Sequence, residues 1–152
     1  SKGFEMEATA QLTEEVGLRA AYGHTHARYD DFVDTVMGAV YTGNDLPFAP
    51  RHSLSAGVNF TRELDMGTTL KAGLDYTFRS SYAFTSDNKY RQDPTHLVDA
   101  HIGIEKDGWS ASLWAKNLTD ERYLKNYFSY NGTDMGVAAP GRTIGLTLAK
   151  VW

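Results

Sequence analysis

From Phe4 onwards apolar and polar residues alternate one by one, with Phe4, Met6, Ala8, Ala10 and Leu12 set against Glu5, Glu7, Thr9 and Gln11. A period of two marks a strand with unlike faces, because successive side chains leave opposite sides of the pleat. The pattern returns in Val16, Leu18, Ala20 and Tyr22, opposite Gly17, Arg19, Ala21, Gly23 and Thr25, in a segment running towards Tyr29. It returns again in Leu54, Ala56, Val58 and Phe60, and most clearly in Leu70, Ala72, Leu74, Tyr76, Phe78, Tyr82 and Phe84, where only Ser80 interrupts it. Val98 to Ile104, Trp109 to Ala115, and Ile144, Leu146, Leu148 and Trp152 complete the series, with Lys150 breaking the last one.

Seven antiparallel strands of about 10–17 residues are therefore predicted, where strands of soluble domains run to about 5 or 6. Such lengths suit a tilted crossing of a bilayer. Short turns near Thr13, Asp65 and Asp107 alternate with long connections at 30–50, 86–94 and 118–141. Asp107-Gly108 supplies the positive φ of a tight hairpin. Short turns at one end and long loops at the other are the asymmetry of outer-membrane barrels.

The same alternation would serve a soluble lipocalin-like barrel with its apolar face inward. The polar face favours the membrane barrel, being mostly Ser, Thr, Gly and Asn with isolated charges of both signs, as a hydrated lumen requires. The apolar face places Phe4, Tyr82, Phe84, Trp109 and Trp152 near strand ends, where interfacial girdles stand. Its many alanines would fill a soluble core poorly. The fold expected is an all-β, antiparallel transmembrane β-barrel.

Composition narrows the function. The 152 residues make one ordinary domain, and no apolar run approaches the roughly 20 residues of a membrane helix. A net charge of −4 without a Lys/Arg cluster argues against nucleic acid. The chain has no cysteine, which removes disulfides and thiolate sites without setting the compartment. No nucleophile elbow or paired-acid motif is visible, so no catalytic residue, cofactor or enzyme activity is assigned. The start at Ser1, without Met or signal peptide, leads us to expect a processed product or a piece.

Asn117-Leu118-Thr119-Asp120-Glu121-Arg122-Tyr123, then Ala139-Pro140-Gly141-Arg142-Thr143-Ile144-Gly145-Leu146 and the terminal Trp152, resemble the C-terminal end of TonB-dependent outer-membrane receptors. Ser1-Lys2-Gly3-Phe4-Glu5 and Leu46-Pro47-Phe48-Ala49-Pro50-Arg51-His52 look like strand entries in the same family. The resemblance covers essentially the whole chain. It implies that 1–152 is the C-terminal portion of a 22-stranded barrel in the bacterial outer membrane, and the odd strand number agrees with a fragment. It implies uptake of a scarce ligand, most commonly an iron-siderophore complex, energised through the TonB complex. The partners so implied are outer-membrane lipid, a small-molecule ligand, the barrel-assembly machinery, and the receptor's remaining barrel with its N-terminal plug, through which TonB would act. Ile144, Gly145, Leu146, Leu148 and Trp152 match the assembly signal of the family, from which Lys150 departs. One alternative is a complete small OmpA-like structural or adhesive barrel, which needs an eighth strand hidden in 30–50 or 118–141; the other is a soluble lipocalin-like binding protein, which predicts solubility without detergent.

Glu5, Glu7, Arg19, Lys71, Asp75, Arg79, Asp99, His101 and Lys116 are expected on the lumen face, where cross-strand pairing of opposite charges is the commoner role for such residues. Asp30, Asp31, Asp34, Tyr41, Tyr90, Arg91, Tyr127 and Tyr130 fall in outer loops and are candidates for ligand contact. His24 and His26 share a face, with His52 and His96 expected on that face near the same rim. Imidazoles two apart can share a metal, but solvated surface histidines are commoner, and no metal site is assigned. Asn117 and Asp120 are expected to hold a local turn through backbone hydrogen bonds.

Overall fold

The computed structural model describes residues 1–36, 38–130 and 132–152. Positions 37 and 131, within the predicted loops 30–50 and 118–141, lie outside the described residues. Alternation produces long strands: β1 (Lys2–Gln11), β2 (Val16–His26), β5 (His52–Leu64), β6 (Thr68–Arg79), β9 (Thr95–Lys106), β10 (Trp109–Lys116) and β13 (Thr143–Lys150). The short strands lie in the long connections: β3 (Val33–Asp34), β4 (Ala39–Val40), β7 (Tyr82–Ala83), β8 (Arg91–Gln92), β11 (Leu124–Tyr130) and β12 (Thr133–Ala138). The long strands form one antiparallel sheet in the order β1-β2-β5-β6-β9-β10-β13, while β3-β4, β7-β8 and β11-β12 pair off as separate ribbons. The connections that could have hidden an eighth barrel strand therefore fold on themselves. The sheet is open, with β1 and β13 at its edges.

Register carries the two faces unbroken across the sheet. One row reads Ala8, Ala20, Ala56, Tyr76, Val98, and the row beside it, on the other face, Thr9, Arg19, Gly57, Asp75, Asp99. A slip of one residue would exchange the faces, so the strong patterning fixes the register. At the short-turn end Asp107 (φ 50°) and Gly108 (φ 74°) both adopt the left-handed conformation that joins β9 to β10.

The core is not in the sheet. Among the described residues the buried apolar side chains are Tyr82, Ala83 and Phe84, all in the second long connection, whereas Phe4, Leu18, Ile102, Leu113, Ile144 and Leu148 on the strands are exposed. A contiguous apolar face of this extent on a single layer calls for a nonaqueous neighbour, and lipid supplies it without a second sheet.

Three expectations are corrected. The strand predicted through Phe84 stops at Arg79: the Ser80 N–H bonds the His52 carbonyl at 2.9 Å, and the chain then turns off the sheet. Tyr82 and Phe84 are consequently not girdle residues; they pack on each other (5.5 Å between centroids) and on Phe48 (6.1 and 5.7 Å). The second strand ends at His26, short of Tyr29. The last ends at Lys150, leaving Trp152 beyond it and fully exposed.

Lys150 breaks the apolar pattern at the sheet's short-turn end, where a long side chain can lay its stem on apolar neighbours and keep its charge wet. Its Nζ lies 5.0 Å from the Trp109 ring centre and 6.0 Å from that of Trp152, and donates to the Asp107 carbonyl at 2.7 Å.

Candidate functional site

All three long connections leave the same end of the sheet, and there they interlock. In the first, Asp45 is the hub: its carboxylate accepts from Arg51 (2.9 Å) and Arg28 (3.2 Å) and lies 3.5 Å from Arg91 of the second connection. Asn88 binds the Asp45 backbone in both directions, each bond 2.9 Å. The Tyr29 hydroxyl meets Ser86 Oγ at 3.0 Å, and Asn44 donates to the Ser86 carbonyl at 2.8 Å. Second and third connections are joined by the Leu124 N–H, which donates to Gln92 Oε1 at 2.8 Å, and by Tyr90 stacked on Tyr127 at 4.1 Å. The Tyr90 hydroxyl donates to Asp134 Oδ2 at 3.2 Å.

Burial alone would raise the Asp45 carboxyl, but the bonds and charges of Arg51 and Arg28 outweigh it and hold it below the ordinary 3.8. A depressed carboxyl stabilises the fold above its ordinary value, and that contribution is lost as pH falls through the lower folded value. Protease cleavage within residues 27–51 and 80–94 should therefore rise as pH drops below 3.8, and Asp45→Asn should show the raised cleavage already at neutral pH. Equal cleavage of parent and variant at pH 7 would remove Asp45 as the hub.

The loop candidates divide. Tyr90, Arg91 and Tyr127 are brought together in the interlocked layer, where Arg91 also reaches Ser81 Oγ at 3.4 Å. The Tyr127 hydroxyl is enclosed and lacks a well-formed hydrogen bond, so burial leads in pushing its phenol up, with the Asp134 carboxylate acting the same way. Tyr130, at the β11 end of its ribbon, is exposed. Asp30, Asp31 and Asp34 belong to the first connection, where Asp34 Oδ1 accepts the Val36 N–H at 2.9 Å; Tyr41 packs on Phe32 at 5.6 Å. They do not join the Tyr90 cluster.

The charged set lies on one face of the sheet. Arg19 and Asp75 pair across the intervening β5, and Lys71 bonds Glu105 at 2.7 Å. Arg19 can reach because Gly57 stands between: a Cβ there would press on Asp75 Oδ1 and stand 2.9 Å from Arg19 Nε. Asp99, beside Asp75 in register, accepts the Asn117 N–H at 2.8 Å. His101 lies on Gly73, and Lys116 stands 5.9 Å from the Trp114 ring. Glu5, Glu7 and Arg79 line a shallow hollow of about 280 Å³ near the loop end.

Sequence reading missed Asp45, Asn88, Gln92 and Asp134, which hold the layer together. Single polar residues in loops carry no periodicity, and the cross-connection partners of Asn88, Gln92 and Asp134 lie 43, 32 and 44 residues away; Asp45 has nearer ones, Arg51 and Arg28, 6 and 17 residues off.

A one-layer antiparallel sheet with an exposed apolar face, short turns at one end and a packed loop layer at the other is a section of a transmembrane β-barrel wall. Residues 1–118 match the family model described as TonB dependent receptor-like, beta-barrel, and the chain belongs to that family. It is 36% identical over 143 residues to the ferrioxamine B receptor of Salmonella typhimurium, covering 86% of this chain and 19% of the relative. The ferrichrome outer membrane transporter/phage receptor of Escherichia coli K12 is 31% identical over 143 residues, 90% of this chain and 18% of that protein. The crystal structure of the ferric yersiniabactin uptake receptor of Yersinia pestis superposes on 99% of the chain, and the chain on 23% of it, with a TM-score of 0.83 at 23% identity. The chain thus spans about a fifth of the length of these curated relatives. Its place is the bacterial outer membrane, and its named relatives are receptors and transporters.

Proposed function

We propose that residues 1–152 are the C-terminal portion of the barrel of an outer-membrane receptor that takes up an iron-siderophore complex, with energy supplied through TonB. The likeness to the ferrioxamine B receptor, carried along nearly the whole chain, is the observation that supports this most. In this reading the face bearing Arg19, Lys71, Asp75 and Asp99 lines the lumen, with the plug and the rest of the barrel as its neighbours. The loop layer forms part of the ligand-receiving mouth, with Tyr90, Arg91, Tyr127 and Tyr130 contacting ligand and Asp30, Asp31, Asp34 and Tyr41 at its margin. Stacked phenols order little on binding and offer apolar ring area to a large chelate, while the exposed Tyr130 leaves its side chain open to it. Ile144, Leu146 and Leu148, exposed on the edge strand, with Gly145 and the trailing Trp152, serve recognition by the barrel-assembly machinery.

The test is uptake of radiolabelled iron presented as ferrioxamine B or as ferrichrome to cells whose only siderophore receptor is the full protein containing this chain. Uptake of at least one chelate, abolished in a TonB-deficient strain, is expected. Failure with both overturns the iron-siderophore assignment, and uptake independent of TonB removes the energisation.

A further inference from the structure

On the apolar face of the sheet, at its loop end, His24 of β2 and His52 of β5 are directly opposed in register. Their Nδ1 atoms stand 3.5 Å apart, with ring centres at 4.8 Å. Tyr22 Oη lies 2.7 Å from His52 Nδ1, and the Phe4 ring flanks His24 at 5.6 Å. Three heteroatoms thus converge, with His52 Nδ1 within hydrogen-bond distance of both Tyr22 Oη and His24 Nδ1. His52 Nδ1 has one lone pair in the ring plane, which the Tyr22 hydroxyl takes when His52 carries its proton on Nε2. The His24 nitrogen then faces an occupied acceptor.

We propose that His24 and His52 chelate a divalent transition-metal ion through their Nδ1 atoms, with Tyr22 Oη beside them as a further oxygen donor. Two imidazole nitrogens bound at about 2.0–2.1 Å in a tetrahedral shell are about 3.4 Å apart, so the observed 3.5 Å needs almost no rearrangement. Among the described residues no three His, Cys, Asp or Glu converge, so the chelate has two imidazoles and its remaining positions are filled by Tyr22 or water. Strand ends supply the access: β2 closes at His26 and β5 opens at His52, whose side chain is exposed. Lys2 lies opposite His26 two rows further out, and Arg51 adjoins His52; these charges disfavour every divalent cation alike. Binding should therefore follow intrinsic affinity for imidazole, with Cu²⁺ tightest, then Ni²⁺ and Zn²⁺.

The sheet contains its own control. Tyr76 Oη bonds His96 Nδ1 at the same 2.7 Å, two strands away on the same face, but the residue opposite His96 is Phe78. That repeat has the tyrosine and one histidine without the second imidazole.

The experiment is titration of the full receptor in detergent with Cu²⁺, read by electron paramagnetic resonance, and with Zn²⁺, read by calorimetry. One Cu²⁺ per receptor with coupling to two nitrogens is expected. His24→Gln and His52→Gln should each weaken it at least tenfold and leave one coupled nitrogen, while His96→Gln leaves it unchanged. Retained heat-modifiable migration in gels shows that each variant still forms the barrel. Equal binding by parent and His24→Gln/His52→Gln, or loss with His96→Gln instead, would overturn the assignment.

Discussion

Asn117→Ala is expected to destabilise the outer end of the wall by about 2–4 kcal/mol, from about 1–3 for unpaired buried backbone groups and about 1 for the backbone conformation. Asn117 is buried, and its side chain stands in for a missing stretch of sheet. Its Oδ1 accepts the Glu121 N–H at 2.8 Å, while its Nδ2 donates to the Glu121 carbonyl at 2.9 Å and, more weakly, to that of Pro140 at 3.4 Å. It thereby ties the departure of the chain from β10 to its return before β13. Its φ of 50° is one that asparagine tolerates and alanine does not. Asp120 (φ 56°) reinforces the same closure by accepting the Arg142 N–H at 2.8 Å and a bond from Arg122 at 2.8 Å. Two further variants separate the causes. Asn117→Gly relieves the backbone but still lacks the side-chain bonds, and Asn117→Asp keeps the acceptor and loses the two donor bonds. Both should fall between parent and Asn117→Ala in thermal unfolding of the detergent-solubilised receptor. If Asn117→Gly instead equals the parent, the side-chain bonds contribute nothing.

That turn is legible in the sequence alone, because Asn and Asp at such spacing between two strands have few other uses. The seven strands were legible for a related reason: each face of a membrane-barrel wall meets a different medium, so alternation is written into every strand and short turns carry their own residues. The failures share a cause as well. Tyr82 and Phe84 continue the parity of β6, and nothing local shows that they leave the sheet at Ser80 to pack under Phe48. Asp45 looks like any loop carboxylate until Arg28, Arg51 and Arg91 are brought to it. His24 and His52 were placed on one face by parity, but the pairing of His24 with His52, and not with His26, is a matter of cross-strand register. Periodicity reports faces; it does not report which residues meet across 28 positions of chain.

Gly145→Val is expected to destabilise the sheet by about 1–3 kcal/mol, against the direction that strand propensity alone gives. Valine fits a pleated strand better than glycine, and removing a mid-strand glycine should gain about 0.5–1 kcal/mol. The neighbour decides otherwise. Gly145 is opposite Trp114 in register, and the indole lies over the glycine so closely that a Cβ would penetrate its ring, 2.6 Å from Cε2. The ring is held there by its Nε1–H, which donates to Thr147 Oγ1 at 3.1 Å. Valine must evict the indole and break that bond. A double-mutant cycle isolates the effect, because in the Trp114→Ala background the steric conflict is gone and Gly145→Val should then stabilise. Thermal unfolding of the four proteins should show the valine lowering the midpoint when Trp114 is present and raising it when Trp114 is absent. A valine effect of the same sign in both backgrounds would mean that the indole does not depend on the space over Gly145, and that the glycine is kept for another reason.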